Sequence, residues 1–404
     1  MLQVEPAARK RRSQLRVALA MAGGGPLGAF YQLGCLHALA DSTDGLDLTN
    51  LDGYVGVSSG AIIIAGLANG IDTAQMVQLF LLEQDGSEIY PLTPGMLMRP
   101  AFEEYCRRAL RVPSLLTRVA RNVAKDPLGQ NWAAMLSPLT EAIPTGVFDN
   151  RPFERYLRTL LSTGGRTNDF RELRPMLRII ATDLNSGEEV RFGEPGYDSV
   201  PISEAIRAST ALPGLYTPVR IEGRTLVDGA LLRTAHASLA LDSGADLVLT
   251  VNPLVTFSSS THNGRHNDLS DGGFITVMNQ TFRALIQSRM QIGMATYRQR
   301  YPFSDRLLFQ PDRDDEIMFF TNAFRYSERF RLASHAYQMT RRDLLTNAET
   351  LAPLLKRHGI TLRLERLRDR RRALAPRSRL RFRTGATADL SHTLQRLSHW
   401  LAAQ

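Results

Sequence analysis

Two units of the same kind open the chain: a short apolar run, a turn of small residues, then a stretch with helical spacing. Arg16–Ala22 is apolar throughout after its first residue and predicts a buried strand, followed by the glycine loop Gly23–Gly28. From Ala29 to Ala40, Phe30, Leu33, Leu36 and Leu39 recur near the helical period and predict a helix. Asp52–Val57 predicts a second strand, and Ser59–Ala68 a short apolar helix closed by Asn69-Gly70. Strand, loop and helix, twice over, begin a parallel α/β sheet.

The pattern then changes. Residues 71–160 read as helices broken at Pro91, Pro94, Pro100, Pro113, Pro127, Pro138 and Pro144, with no strand among them. The sheet resumes at Leu177–Ala181, Val190–Phe192, Pro218–Ile221 and Leu247–Val251. Phe257–Gly273 is a polar surface loop, and helices are expected from Phe274 to His358. Near the end, Leu390, Leu394, Leu397 and Leu401 form one apolar stripe with Trp400 beside it. The expected layout is a basic disordered leader over 1–15, an α/β domain over 16–358 with a helical insertion at about 71–160, and a basic tail with a terminal amphipathic helix over 359–404.

Composition narrows this only a little. The 404 residues are 43% hydrophobic and 22% charged, enough for one large α/β domain with insertions. Two cysteines, Cys35 and Cys106, make no disulfide framework, so both are expected as buried packing residues in a reducing compartment. The formal charge of +9 is concentrated: ten arginines stand against Glu365 and Asp369 between Arg363 and Arg383. That points to an anionic surface as partner for the tail, a membrane rather than a specific nucleic acid. Lys10-Arg11-Arg12 before Val17–Ala22 imitates an export signal, but cleavage there would remove the first strand. No apolar stretch reaches the roughly 20 residues of a spanning helix, so a cytoplasmic protein with peripheral membrane contact is expected.

Three short motifs carry candidate chemistry. Gly56-Val57-Ser58-Ser59-Gly60 matches G-x-S-x-G between the second strand and its helix, where a tight turn lifts a nucleophile above the sheet. Without such a role it is a plain turn with Ser59 as helix cap. Gly23-Gly24-Gly25-Pro26-Leu27-Gly28 opens a helix, so its amides suit an anion: either the oxyanion of acyl transfer or a dinucleotide pyrophosphate. A dinucleotide site wants an acid at the end of the second strand, where this chain has Ser58; Asp44 and Asp47 precede that strand. Asp228-Gly229-Ala230 ends a further short strand, after the small-residue stretch Ser209–Pro218.

Taken in this order, the glycine loop, the serine elbow, the Ser209–Pro218 stretch and the Asp-Gly-Ala turn resemble the patatin-like phospholipase family, over roughly Arg16 to Pro253. The resemblance implies a three-layer fold with a parallel-type central sheet flanked by helices. It implies a Ser58–Asp228 dyad acting on a lipid ester, with Ser58 as nucleophile and Asp228 as base. Gly23, Gly24, Gly25 and Gly28 would form the oxyanion hole, chiefly through Gly24 and Gly25. Gly56, Gly60, Gly229 and Ala230 would support the two turns, and no metal or other cofactor is implied. The chain departs from the family pattern at Ala22, often acidic, and at Leu27, commonly basic, while Pro26 has no N–H.

Other readings stay open on the residues alone. One is a triad of Ser58 and Asp228 with His236 or His335; another is a non-catalytic protein using the glycine loop for a nucleotide or a lipid. Asp183, at a strand end, reads as a site-lining or turn-capping residue. His262 and His266 lack metal-site context. Residues 84–146, with Gly95-Met96-Leu97-Met98, are expected to cover the site or touch lipid.

Overall fold

The computed structural model describes residues 1–7, 15–82, 92–125, 132–232, 235–258, 268–321 and 328–375. The histidines His262 and His266, the leucine stripe with Trp400, and Lys10–Arg12 lie outside the described residues.

The strands, in chain order, are β1 (Leu2–Glu5), β2 (Val17–Met21), β3 (Thr43–Asp44), β4 (Gly53–Val57), β5 (Gly146–Phe148), β6 (Met176–Asp183) and β7 (Glu189–Phe192). After them come β8 (Gly214–Tyr216), β9 (Val219–Ile221), β10 (Arg224–Asp228), β11 (Leu247–Val251), β12 (Asp305–Phe309) and β13 (Thr361–Leu362). Nine form one sheet in the order β1-β12-β11-β2-β4-β6-β10-β9, with β7 also on β6. The five central strands, β12 to β6, are parallel; β1, β7 and β10 run antiparallel to them, and the edge strand β9 runs antiparallel to β10. The parallel-type α/β sheet expected from the sequence is therefore present. Of its central strands, β2, β4 and β11 read as nearly continuous apolar runs because both faces are covered.

The alternation along β2 shows the layers. Leu19 and Met21 join the main core, with helix α1 (Gly25–Ser42), helix α2 (Ser59–Ala68) and the helix Arg329–Thr346. Ala18 and Ala20 face the other way, onto Ala237, Ala240 and Leu241 of the helix Ala237–Asp242. α1 crosses Arg329–Thr346 at Gly34, where a Cβ would collide with the carbonyl of Ala333.

Gly60 makes a similar close approach next to the elbow. A Cβ there would lie 2.6 Å from the carbonyl oxygen of Met21 and 2.8 Å from that of Ala22, so only glycine lets α2 rest on the end of β2. Gly60→Ala is expected to lower stability by about 1–3 kcal/mol by overpacking and to reduce activity by displacing the glycine loop; urea unfolding and an ester assay check it. Unchanged stability and activity would contradict this packing.

Several expectations need correction. The leader is not disordered throughout: Leu2–Glu5 pairs with β12 in the register Leu2↔Phe309 to Glu5↔Arg306. The helical stretch 274–358 contains strand β12, hidden because only Leu307-Leu308-Phe309 is apolar. Its charged Asp305 and Arg306 are buried, with partners far away in sequence: Asp305 meets Arg357 at 3.0 Å and His358 at 2.7 Å, and Arg306 meets Glu5 at 3.1 Å. Among the described residues the insertion holds one short strand, β5, parallel to β8. The tail does not begin at 359. β13 pairs with β3, Leu367 and Leu374 are buried, and Arg366 and Arg372 both reach Asp41, so the described residues up to 375 pack on the domain. Cys35 is buried, its thiol pushed up to about 12 by burial, whereas Cys106 is exposed.

Candidate active site

Strand register brings the two motifs together. β4 lies parallel to β6 with Val57 opposite Ile180. β10 lies antiparallel on the other side of β6, with Asp228 opposite Ala181. Ser58 leaves one neighbour of β6 and Asp228 ends the other, at the same end of the sheet. The carboxyl ends of parallel strands are where α/β sheets bind ligands.

Ser58 has φ 53° and ψ −126°, a left-handed conformation held by its surroundings rather than by its own preference. Its backbone N–H donates to Ser209 Oγ at 2.8 Å, and that hydroxyl donates to the Ile180 carbonyl at 2.5 Å. The N–H of Asp228 donates to the carbonyl of Ala211 at 3.0 Å. The Ser209–Pro218 stretch thus braces both turns, a role for which the sequence shows a compact run of small residues but no mechanism.

The Ser58 hydroxyl lies beside Asp228 and favours its ionised form, and Asp228 accepts the N–H of Ala230 at 2.9 Å. Asp228 is 1% exposed. Burial penalises its ionised form and pushes the carboxyl up to about 6, with the Ser58 hydroxyl and the Ala230 N–H pulling the other way. Gly229 follows because a Cβ there would run into the Ile180 carbonyl of β6.

The glycine loop lies against this pair. A Cβ on Gly23 would come within 3.0 Å of Ala230 Cβ and 3.1 Å of Ser58 Cβ. Gly24 is the N-cap of α1 and packs on Pro253; Gly25, at φ 61°, is the first helical residue. Gly28 is a correction to the expected donor set. Its amide donates to the Gly24 carbonyl at 3.0 Å, the first turn of the helix, so its place is explained by contact with Pro253 and Ser59 instead. Gly24 and Gly25 remain at the cavity wall with Ser58.

One supporting residue was not read from the sequence. Gln32, fully buried, donates its side-chain amide to the Ala22 carbonyl at the start of the loop. Its Oε1 accepts the Ser59 hydroxyl at 3.4 Å. It ties the glycine loop to the first residue of α2. The signal was a lone glutamine inside an otherwise apolar helical run.

Ser58 and Asp228 open into a cavity of about 790 Å³. Its walls are mostly apolar, with Phe30, Leu33, Ile62, Phe80, Phe153 and Leu215 among them. Leu92 and Leu97, from the expected cap, line it too. Asp183 does not: it accepts the Asn185 N–H at 3.0 Å and pairs with Arg224 at 3.2 Å, a turn-capping role. His236 faces Glu189 at 3.3 Å and His335 faces Asp315 at 2.7 Å. No histidine is among the described residues lining the cavity. Among the described residues no cluster of three or more His, Cys, Asp or Glu side chains is arranged to hold a metal.

Comparison with known proteins adds a family. The family model described as patatin-like phospholipase matches residues 19–241, more than half of the chain. An uncharacterized NTE family protein of Mycobacterium tuberculosis (strain ATCC 25618 / H37Rv) is 37% identical over 73 residues, covering 18% of this chain and 19% of that protein. The match thus spans about a fifth of the relative's length. VipD from Legionella pneumophila aligns at 18% identity with a TM-score of 0.33, over 64% of this chain and 54% of that one. Human GIVD cytosolic phospholipase A2, solved with methyl gamma-linolenyl fluorophosphonate, aligns at 13% identity with a TM-score of 0.34, over 89% of this chain and 61% of that one.

Proposed function

The chain belongs to the patatin-like phospholipase family, a family of lipid hydrolases, and from that premise we propose that it cleaves lipid acyl esters through a Ser58–Asp228 dyad. The observation that carries this reading is Ser58, on a strained elbow, placed beside the buried carboxyl of Asp228 in the wall of a large apolar cavity.

Ser58 Oγ attacks the ester carbonyl while Asp228 takes its proton. The carbonyl oxygen becomes an oxyanion, which the Gly24 and Gly25 amides and the positive end of α1 stabilise. Collapse expels the alcohol, which leaves with the proton from Asp228, and an acyl-enzyme remains. Water, deprotonated by Asp228, then releases the acid and restores Ser58. With Leu27 where the family commonly has a basic residue, the loop itself supplies backbone donors and no side-chain cation. The apolar walls suit an acyl chain.

A triad is less well supported, because His236 and His335 face carboxylates outside the cavity. A nucleotide at the glycine loop is less well supported, because Ser58 stands where a dinucleotide site wants an acid at the end of the second strand. Purified protein incubated with a panel of phospholipids, acylglycerols and simple esters, with released acids identified by mass spectrometry, tests the proposal. Release of acid from none of them, by folded protein, would contradict it.

Membrane contact through the basic tail belongs to the same proposal. Among the described residues no helix is long and apolar enough to cross a membrane. Arg363, Arg366 and Arg372 pair with Asp44 or Asp41, so part of the arginine run holds the domain together. The residues after Ala375 carry four more arginines, Arg377, Arg379, Arg381 and Arg383, ahead of the leucine stripe. Each contributes about 1 kcal/mol near an anionic surface. Truncation after Ala375 is expected to leave folding intact and abolish sedimentation with anionic liposomes, while full-length binding weakens with salt. Equal sedimentation of the two proteins would refute the role of the tail.

A further inference from the structure

Part of the cavity wall is sealed and part is open. Phe30 and Leu33 of α1, Ile63 of α2, Phe80 of the helix Thr73–Leu81 and Phe153 of the helix Arg151–Leu161 belong to one buried core cluster, each 8% exposed or less. By contrast, Phe282 and Leu285 of the helix Gly273–Arg300 are 38% and 55% exposed. The apolar part of a bound ester gains most where water is excluded, so the sealed wall suits the acyl chain and the open side the alcohol portion.

Helix α2 gives that chain a direction. Ser59, Ile62 and Ile63, within about one helical turn of Ser58, line the cavity. One turn further on, Ala65 and Gly66 do not; they border a second void, of about 10 Å³, walled by apolar residues that include Ile71 and Met76. A space of that size holds about one water at most, so no chain enters it as it stands. Ile62 and Phe80 are the two described residues that border both spaces, and together they form the partition between them. Buried Leu157, Leu160 and Leu161 back the void, so a chain too long for the cavity meets packed core.

We infer that Phe80, with Ile62 beside it, is the stop that limits acyl-chain length: chains that end before the partition are accepted and longer ones are rejected. The inference rests on the acyl-hydrolase reading of the same cavity and adds to it a length limit and the residue that sets it. A smaller side chain at position 80 joins the cavity to the void behind it, and a larger one brings the stop closer to Ser58.

The test measures kcat/KM for p-nitrophenyl esters from butyrate to palmitate, all in the same neutral detergent. Wild-type kcat/KM is expected to rise about fourfold per added methylene while the chain is still being buried. It should then drop about tenfold or more over the next few carbons, once the chain presses on the partition. Phe80→Ala should move that drop to longer chains and Phe80→Trp to shorter ones. Phe80→Leu, a milder change to the wall, should move it the same way as Phe80→Ala and carries the test if that variant does not fold. Leu285→Ala, on the open side, should leave the position of the drop where it is. A wild-type profile without a drop, a drop at one length in every Phe80 variant, or one that moves as far in Leu285→Ala would overturn the inference. Ser58→Ala is run alongside. Hydrolysis persisting there refutes the dyad and the inference with it, whereas a fixed drop with Ser58→Ala inactive refutes the length stop alone.

Discussion

Replacing Ser58 with alanine is expected to lower kcat/KM for ester hydrolysis by about three orders of magnitude or more, as losing a nucleophile does. The fold should survive. The bond from the Ser58 amide to Ser209 is made by the backbone, and alanine keeps the Cβ that packs near Gly23. The left-handed backbone at this position strains serine and alanine alike. Circular dichroism and a melting curve alongside the assay separate lost chemistry from lost structure. Retention of more than about a tenth of the activity, a barrier change under roughly 1.4 kcal/mol, would exclude Ser58 as nucleophile.

Asp228→Asn should lower activity by about 10²–10⁴-fold, the usual contribution of a general base, while making the protein more stable at neutral pH. The two effects share a cause. The Asp228 carboxyl stands at about 6, above its ordinary value of 3.8, because burial disfavours its charge. The folded state therefore holds the proton more tightly than the unfolded chain. The stability from that proton is complete below about pH 4 and is lost as pH rises through about 6. At pH 7 the site carries a buried charge that asparagine does not. The melting temperature of Asp228→Asn should thus exceed that of wild type at pH 7, with the gap closing toward pH 4. Catalysis runs the other way, since only the ionised form accepts a proton: wild-type kcat/KM should fall about tenfold per unit below pH 6. If His236→Ala or His335→Ala damages activity as much as Asp228→Asn, with the fold intact, the base is a histidine and this account of the pH profile fails.

The contrast between loss of function and gain of stability arises from placing a carboxylate where the sheet, the Ala211 turn and the Ile180 strand exclude water. In the proposed dyad the proton passes from Ser58 to Asp228 with no histidine between the two groups.

Much of this site was legible before the fold was known, for a physical reason. Parallel strands covered on both faces are mostly apolar, so Val17–Met21, Gly53–Val57 and Leu247–Val251 stand out, and the residues that follow them at the site end stand out too. Glycines at close approaches, such as Gly60 and Gly229, are likewise visible because no other residue fits. What stayed hidden depends on partners distant in the chain. Asp305 and Arg306 look like surface charges until Arg357, His358 and Glu5 are brought to them, so β12 passed for part of a helical stretch. Arg366 and Arg372 looked like solvated tail until Asp41 was beside them. Arg283 and Arg289 look like the polar face of a surface helix, and only the fold turns them toward the cavity. Gly28 satisfied the motif, yet its amide is taken by the helix it begins.

Labelling with a fluorophosphonate carrying a lipid-like chain tests the central claim most directly, because it reports on the nucleophile itself. Peptide mass spectrometry of the labelled protein is expected to find one adduct, on the peptide containing Ser58, and none in Ser58→Ala. An adduct on a different serine, or an active protein that hydrolyses lipid ester without Ser58 being labelled, would contradict the account.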